Sequence, residues 1–230
     1  MVILLIAVCF FPSILRANTL HETLITLNKT YDQAESISAD FSQTVRFSGF
    51  DTESISTGKV FLQREKMRWD YVTPERQQIF VDGNTILHYV PEQQQIIKSH
   101  IGRQTGLPID LFASMGKIEA LFHISESGPA TASSPATANG PATPSGPATA
   151  KNKNEIILTP KALGSQVTRM VLTLIPAPKV RGLLIQKVAL TEENGNQSFF
   201  VFKDFQMNKT FRENPFLFNV PKGVEIIEMP

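Results

Sequence analysis

The feature that most constrains this chain is a series of short segments whose apolar residues recur at every second position, with brief turn sequences between them. Phe41, Gln43, Val45 and Phe47 alternate with Asp40, Ser42, Thr44 and Arg46. Successive side chains of a strand point to opposite faces, so this is the pattern of a strand with one buried face. Further strands are predicted over 58–64, 67–72, 77–81, 85–90 and 95–99. They are joined by Val72-Thr73-Pro74-Glu75, Asp82-Gly83 and Val90-Pro91-Glu92, and Asp-Gly is a strong hairpin signal. Parallel pairing needs crossovers of about a dozen residues, longer than these links. The expectation is therefore an antiparallel meander, resumed at 122–125, 155–159, 167–175, 182–190 and 198–206 and closed by a pair at 216–220 and 225–228.

Helical periodicity is confined to a few places. Over 19–36, Leu20, Leu24, Leu27, Tyr31 and Ala34 form one apolar stripe, and Thr19 with Glu22 makes a capping box. The segment 106–116 predicts a short helix started by Pro108, with Leu107, Leu111 and Met115 on one side and Ile109 and Phe112 on another. A second helical piece is expected over 117–122.

The first fifteen residues, MVILLIAVCFFPSIL, are almost all apolar, and Ala17 follows. This predicts a signal peptide over 1–17, removed on export, and a single domain over 18–230. The run is shorter than the eighteen or so apolar residues of a membrane span. Its removal takes the one cysteine, Cys9, and Arg16, leaving 21 basic and 21 acidic residues. A disulfide framework and a cysteine zinc site are excluded, and a balanced charge gives no electrostatic footprint for nucleic acid. Pro-Ala-Thr recurs at 129–131, 135–137, 141–143 and 147–149, a period of six without aliphatic anchors. Such composition cannot bury a core, so a disordered insertion at about 127–154 is expected to lengthen one hairpin tip.

Catalytic chemistry finds little support. His21, His88, His100 and His123 form no metal-ligand spacing, and neither a nucleophile elbow nor a phosphate-binding glycine loop is present. A hydrolytic site would have to assemble in space from His88, Asp110 and Ser114. We expect no enzymatic activity, metal or cofactor. What stands out is the amount of large apolar surface on the predicted sheet: Phe41, Phe47, Phe61, Met67, Trp69, Ile79, Val81, Leu87 and Tyr89. The helices available to cover it are few and short, which leaves room for an apolar ligand. Periodicity cannot separate a filled core from a cavity. Arg64 is read either within an apolar strand, where a guanidinium needs partners, or pointing outward at a strand end.

The same residues carry a resemblance. Phe41-Ser42-Gln43, Gly58, Leu62-Gln63-Arg64, Met67-Arg68-Trp69-Asp70-Tyr71, Pro74, Gln77, Ile79, Asp82-Gly83, Tyr89, Pro91 and Gln95 follow one another in order. With Leu158-Thr159-Pro160 and Phe218, Val220-Pro221 and Gly223, the set resembles the outer-membrane lipoprotein carrier family, LolA. Glu65 stands where that family has proline, Met67 where an aromatic is common, and Leu87 where Trp is frequent.

The resemblance implies a mainly β fold with a few α-helices, an incomplete, strongly curved antiparallel β-barrel closed by a helical lid. It implies a periplasmic, monomeric chaperone that shelters the acyl chains of lipoproteins. Its partners would be acylated lipoproteins, an inner-membrane lipoprotein-releasing ABC transporter and an outer-membrane lipoprotein acceptor. The implied cavity is lined from the sheet by Phe41, Val45, Phe47, Val60, Met67 and Trp69, and by Ile79, Val81, Leu87 and Tyr89. Leu107, Leu111, Phe112 and Met115 line it from the lid, and Arg64 is the lid gate. A lipid- or lipoprotein-sensing regulator of the same fold is the alternative, set against by a chain that ends at Pro230 without a further domain.

Overall fold

The computed structural model describes residues 19–101, 108–126, 154–162, 165–178 and 180–229. Helix α1 (Leu20–Gln33) leads into β1 (Ile37–Arg46), β2 (Glu53–Gln63), β3 (Lys66–Thr73), β4 (Gln77–Asp82), β5 (Thr85–Val90) and β6 (Gln95–His100). Two short helices, α2 (Ile109–Ala113) and α3 (Ile118–Leu121), precede β7 (Phe122–Glu126) and β8 (Glu155–Pro160). Then come β9 (Val167–Pro176), β10 (Leu183–Glu192), β11 (Gln197–Met207) and β12 (Glu225–Glu228). The signal-peptide expectation and the Pro-Ala-Thr repeats lie outside the described residues. β7 and β8 are antiparallel partners, with Glu126 opposite Ile156, so the repeat segment links the two strands of a hairpin.

All twelve strands join one sheet, ordered β12-β6-β5-β4-β3-β2-β1-β11-β10-β9-β8-β7. The sheet is curled and unclosed, as expected. Ten of its eleven pairings are antiparallel; the exception is β12, which runs parallel to β6. The register slips at Ser38/Asp40, Thr57/Gly58, Ile185/Lys187 and Thr191/Glu192, and such bulges sharpen the twist that curls a sheet. At Gly58 the need for glycine is steric. A Cβ there would collide with the Asp70 carbonyl oxygen and lie 2.8 Å from the ring of Phe41, its partner across β1 and β2.

The three helices cover one face of the sheet, here termed inner. α1 starts as the sequence predicts: Glu22 N–H donates to Thr19 Oγ1 at 3.2 Å, and Thr19 N–H donates to Glu22 Oε2 at 3.0 Å. Its stripe buries Leu24 and Leu27. Its last turn is tied to β10, because Leu183 N–H donates to Thr30 Oγ1 at 3.0 Å and Ile185 N–H to the Tyr31 hydroxyl at 3.2 Å.

One predicted strand is absent. Residues 216–220 are irregular and cross the outer face instead, where Phe218 lies 4.5 Å from the Phe80 ring and 5.6 Å from Tyr89. Phe211 packs on Phe61 at 5.6 Å, and Arg68 Nη1 donates to the Pro215 carbonyl at 2.9 Å. Pro215 and Pro221 bound this stretch, and proline cannot donate to a ladder, so the segment lies on the sheet rather than extending it.

Candidate ligand-binding site

The inner face is filled far more than alternation alone suggested. Trp69, fully buried, has ring centroids of Phe41 at 5.2 Å, Phe200 at 5.9 Å, and Phe202 and Phe112 at 6.0 Å. Phe41, Val60, Met67, Trp69, Ile79, Val81, Leu111 and Phe112 do share the inner core. Most of them pack against one another instead of bounding free space. The reason is that alternation reports which face a side chain takes, whereas a cavity depends on what the opposite layer inserts.

Open space lies at the edge of the helical cover, in a pocket of about 750 Å³ beside the C-terminal end of α1. Tyr31, Asp32 and Ala34 form one wall, and Ile37, Leu62 and Met67 a second, from the strands. Phe112, Ala113, Met115 and Lys117 come from α2 and the residues after it. Arg64 and Glu65 of the β2–β3 turn, Gly83 and Asn84 of the β4–β5 turn, and Ile101 complete the rim. Its size falls within the range of small-molecule sites. Apolar floor and charged rim, with Asp32, Arg64, Glu65 and Lys117, together suit a ligand with an apolar tail and a polar head.

Of the residues expected to line a cavity, Met67, Phe112, Met115 and Arg64 reach this pocket. Several others are corrected. Phe47 lies past the end of β1 and is 43% exposed, and Val45 is half-buried near the strand end. Leu87 stands opposite Phe80, and cross-strand partners share a face, so Leu87 and Tyr89 belong to the outer side with Phe218. Phe61 is outside for the same reason of parity. Leu107 lies outside the described residues. Tyr31, Leu62 and Ile101 were missed as lining; Tyr31 could have been found, since it belongs to the α1 stripe.

Arg64 is not within a strand. It occupies the exposed β2–β3 turn with φ 50° and makes no hydrogen bond to α1, α2 or α3 among the described residues. A guanidinium there stays hydrated and needs no buried partner.

The helical cover is held unevenly. α1 has its two bonds to β10, and burial pushes the Tyr31 phenol well above its usual titration range, so it remains protonated. α2 is only five residues long, and the turn after it is tied back by Gly116 N–H donating to Asn28 Oδ1 at 3.1 Å. A helix this short has no independent stability and is held by packing, chiefly of Phe112 on Trp69, Phe202 and Tyr31. The hydrolytic trio does not form: His88 Nε2 pairs with Gln77 Oε1 at 2.9 Å, and Ser114 Oγ donates to the Leu111 carbonyl at 2.8 Å. Among the described residues there is no cluster able to hold a metal ion.

Comparison with known proteins bears on this geometry. The family model described as outer membrane lipoprotein carrier protein LolA matches residues 32–137. An outer-membrane lipoprotein carrier protein from Aliivibrio salmonicida is 24% identical over 224 residues, covering 97% of this chain and 96% of the relative. One from Chromobacterium violaceum is 26% identical over 196 residues, 84% of this chain and 82% of its own. Among solved structures, a DUF1329 family protein from Desulfovibrio piger shares the fold with TM-score 0.50 at 7% identity, over 86% of this chain and 95% of that one. A LolA superfamily protein from Nitrosomonas europaea aligns with TM-score 0.49 at 10% identity, covering 84% and 96%. The resemblance read from the ordered motifs is borne out: over much of its length the chain is similar to the outer-membrane lipoprotein carrier proteins.

Proposed function

We propose that this chain is a periplasmic carrier that shelters the acyl chains of lipoproteins released from the inner membrane and delivers them to an outer-membrane acceptor, without catalysis. The observation that carries the reading is the apolar-floored pocket of about 750 Å³ at the edge of the cover, separated from the aromatic interior by Phe112 of α2. Full-length similarity to proteins named as lipoprotein carriers supports it.

The physical task fits such a site. Each buried methylene is worth about 0.8 kcal/mol, so an acyl chain exposed to water costs on the order of 10 kcal/mol. A carrier must recover much of that and still release. In this reading α2 moves, the chain enters past Met67 and Phe112, and the interior rings repack around it. Closing the empty protein restores those ring contacts, so part of the cargo affinity is offset and a stronger acceptor can take over. Arg64 stands on the rim where closure and cargo compete, which is the basis for keeping it as the gate. An inner-membrane lipoprotein-releasing ABC transporter as donor belongs to the same proposal.

The test is to mix the purified chain with a diacylated lipoprotein in detergent, remove the detergent and separate the products by size. Co-elution of a soluble one-to-one complex is expected. Precipitated lipoprotein beside empty carrier would overturn the reading.

A further inference from the structure

Among the described residues, one buried side-chain polar atom has no hydrogen-bond partner: Nε1 of Trp69. Buried polar groups are almost always paired, and an unpaired one in a native interior calls for an explanation. Its surroundings offer none, being the rings of Phe41, Phe112, Phe200 and Phe202. Two residues along β3, Tyr71 solves the same problem differently, donating from its hydroxyl to Gln43 Oε1 at 2.9 Å. The unpaired donor is therefore specific to Trp69.

Its position gives the reason. Met67 and Trp69 point to the same face of β3, and Met67 lies on the floor of the pocket. Phe112 lines that pocket on one side and meets Trp69 on the other, centroid to centroid at 6.0 Å. A chain that displaces Phe112 arrives at the indole next. Indole N–H is a donor only, so the matching group must be an acceptor, and in a dry aromatic site it must be neutral.

We infer that Trp69 Nε1–H is the specificity-determining donor for the carbonyl oxygen of an ester- or amide-linked acyl chain, and that it distinguishes acylated cargo from plain hydrocarbon. The inference rests on the carrier reading and deepens it. Hydrocarbon burial supplies affinity for any apolar chain, while the indole fixes how deep the carbonyl sits. Closing the empty protein leaves the donor unpaired and so favours uptake of a ligand that can pair it.

The chain has one tryptophan, so a nitrogen-15 correlation spectrum carries a single indole N–H resonance, apart from the amides. The probes are a dipalmitoyl lipopeptide with ester-linked chains and its dialkyl ether analogue of equal chain length. The ester lipopeptide is expected to move the indole proton downfield and to bind about two- to tenfold more tightly, as one hydrogen bond allows. The ether analogue is expected to leave that proton near its starting position. Trp69→Phe should bind both probes with equal affinity. If both probes bind the natural chain equally and shift the indole alike, the donor role is overturned and the carrier reading stands. If neither probe binds, both fall.

Discussion

Thr30 on α1 and Leu183 on β10 are joined by a hydrogen bond of 3.0 Å, from the Leu183 N–H to the Thr30 hydroxyl, which itself donates to the Thr26 carbonyl at 2.7 Å. Together with the Tyr31 hydroxyl, this one fastens α1 to the sheet. The neighbouring glycine is part of the joint, because a Cβ on Gly182 would overlap Thr30 Oγ1. α1 is the part of the cover bonded directly to the sheet, and α2 is the part that moves under the carrier proposal.

Thr30→Val keeps the shape and removes the acceptor. It is expected to lower unfolding free energy by about 1–2 kcal/mol, since the Leu183 N–H is left unpaired in a partly buried position. A denaturant midpoint unchanged from the parent would show that the bond holds nothing.

Gly58→Ala should cost more than its one methyl suggests. The added Cβ meets backbone at Asp70 and the ring of Phe41, neither of which can give way without moving β1 or β3. Overpacking of this kind costs about 1–3 kcal/mol. Thermal unfolding within a degree of the parent would contradict it.

Phe112→Ala removes the partition between pocket and interior. A loss of about 3–5 kcal/mol is the usual range for a buried aromatic, lowered here where the open pocket lets water in. Uptake of a fluorescent apolar probe is expected to rise in the variant. Weaker uptake would mean that Phe112 is a wall of the binding site and not its door.

Arg64 supplies two contrasting substitutions. Its φ of 50° is costly for any residue with a Cβ, so Arg64→Gly should stabilise the fold by about 0.5–1 kcal/mol. Arg64→Leu keeps the strain and removes the rim charge, and under the gating proposal it should slow release of bound lipopeptide to liposomes. Release as fast as in the parent would remove Arg64 from the gate.

Burial lowers the titration of His88 below its ordinary value of 6.5. In that window the unfolded chain binds the proton that the folded chain refuses, so stability must decline as pH falls below about 6.5 and level off below the folded value. His88→Gln, which cannot charge, should flatten this slope in denaturant titrations between pH 5 and 8. Equal slopes would place the acid sensitivity elsewhere.

Much of this molecule was legible without coordinates. The capping box at Thr19 and Glu22, the two-residue period of β1 to β6 and the Asp82-Gly83 turn each depend on residues close in sequence, and local sterics and hydrogen bonding settle them. The face taken by Phe41, Met67 and Trp69 followed from the same period. Arg64 shows the boundary of that method. It was read as either inside an apolar strand or at the strand's end, and one residue of register puts it in the turn, where its charge is hydrated.

The tertiary structure decided the rest. Whether the ring of Trp69 bounds a hollow or meets Phe112 and Phe202 depends on the distance between helix and sheet, and no local pattern encodes that distance. The outer strap of Phe211, Pro215 and Phe218 also escaped, since an apolar segment reads alike whether it extends a sheet or lies across one. Sequence set the faces because strand geometry is local; packing set the space because it is the sum of contacts between residues far apart in the chain.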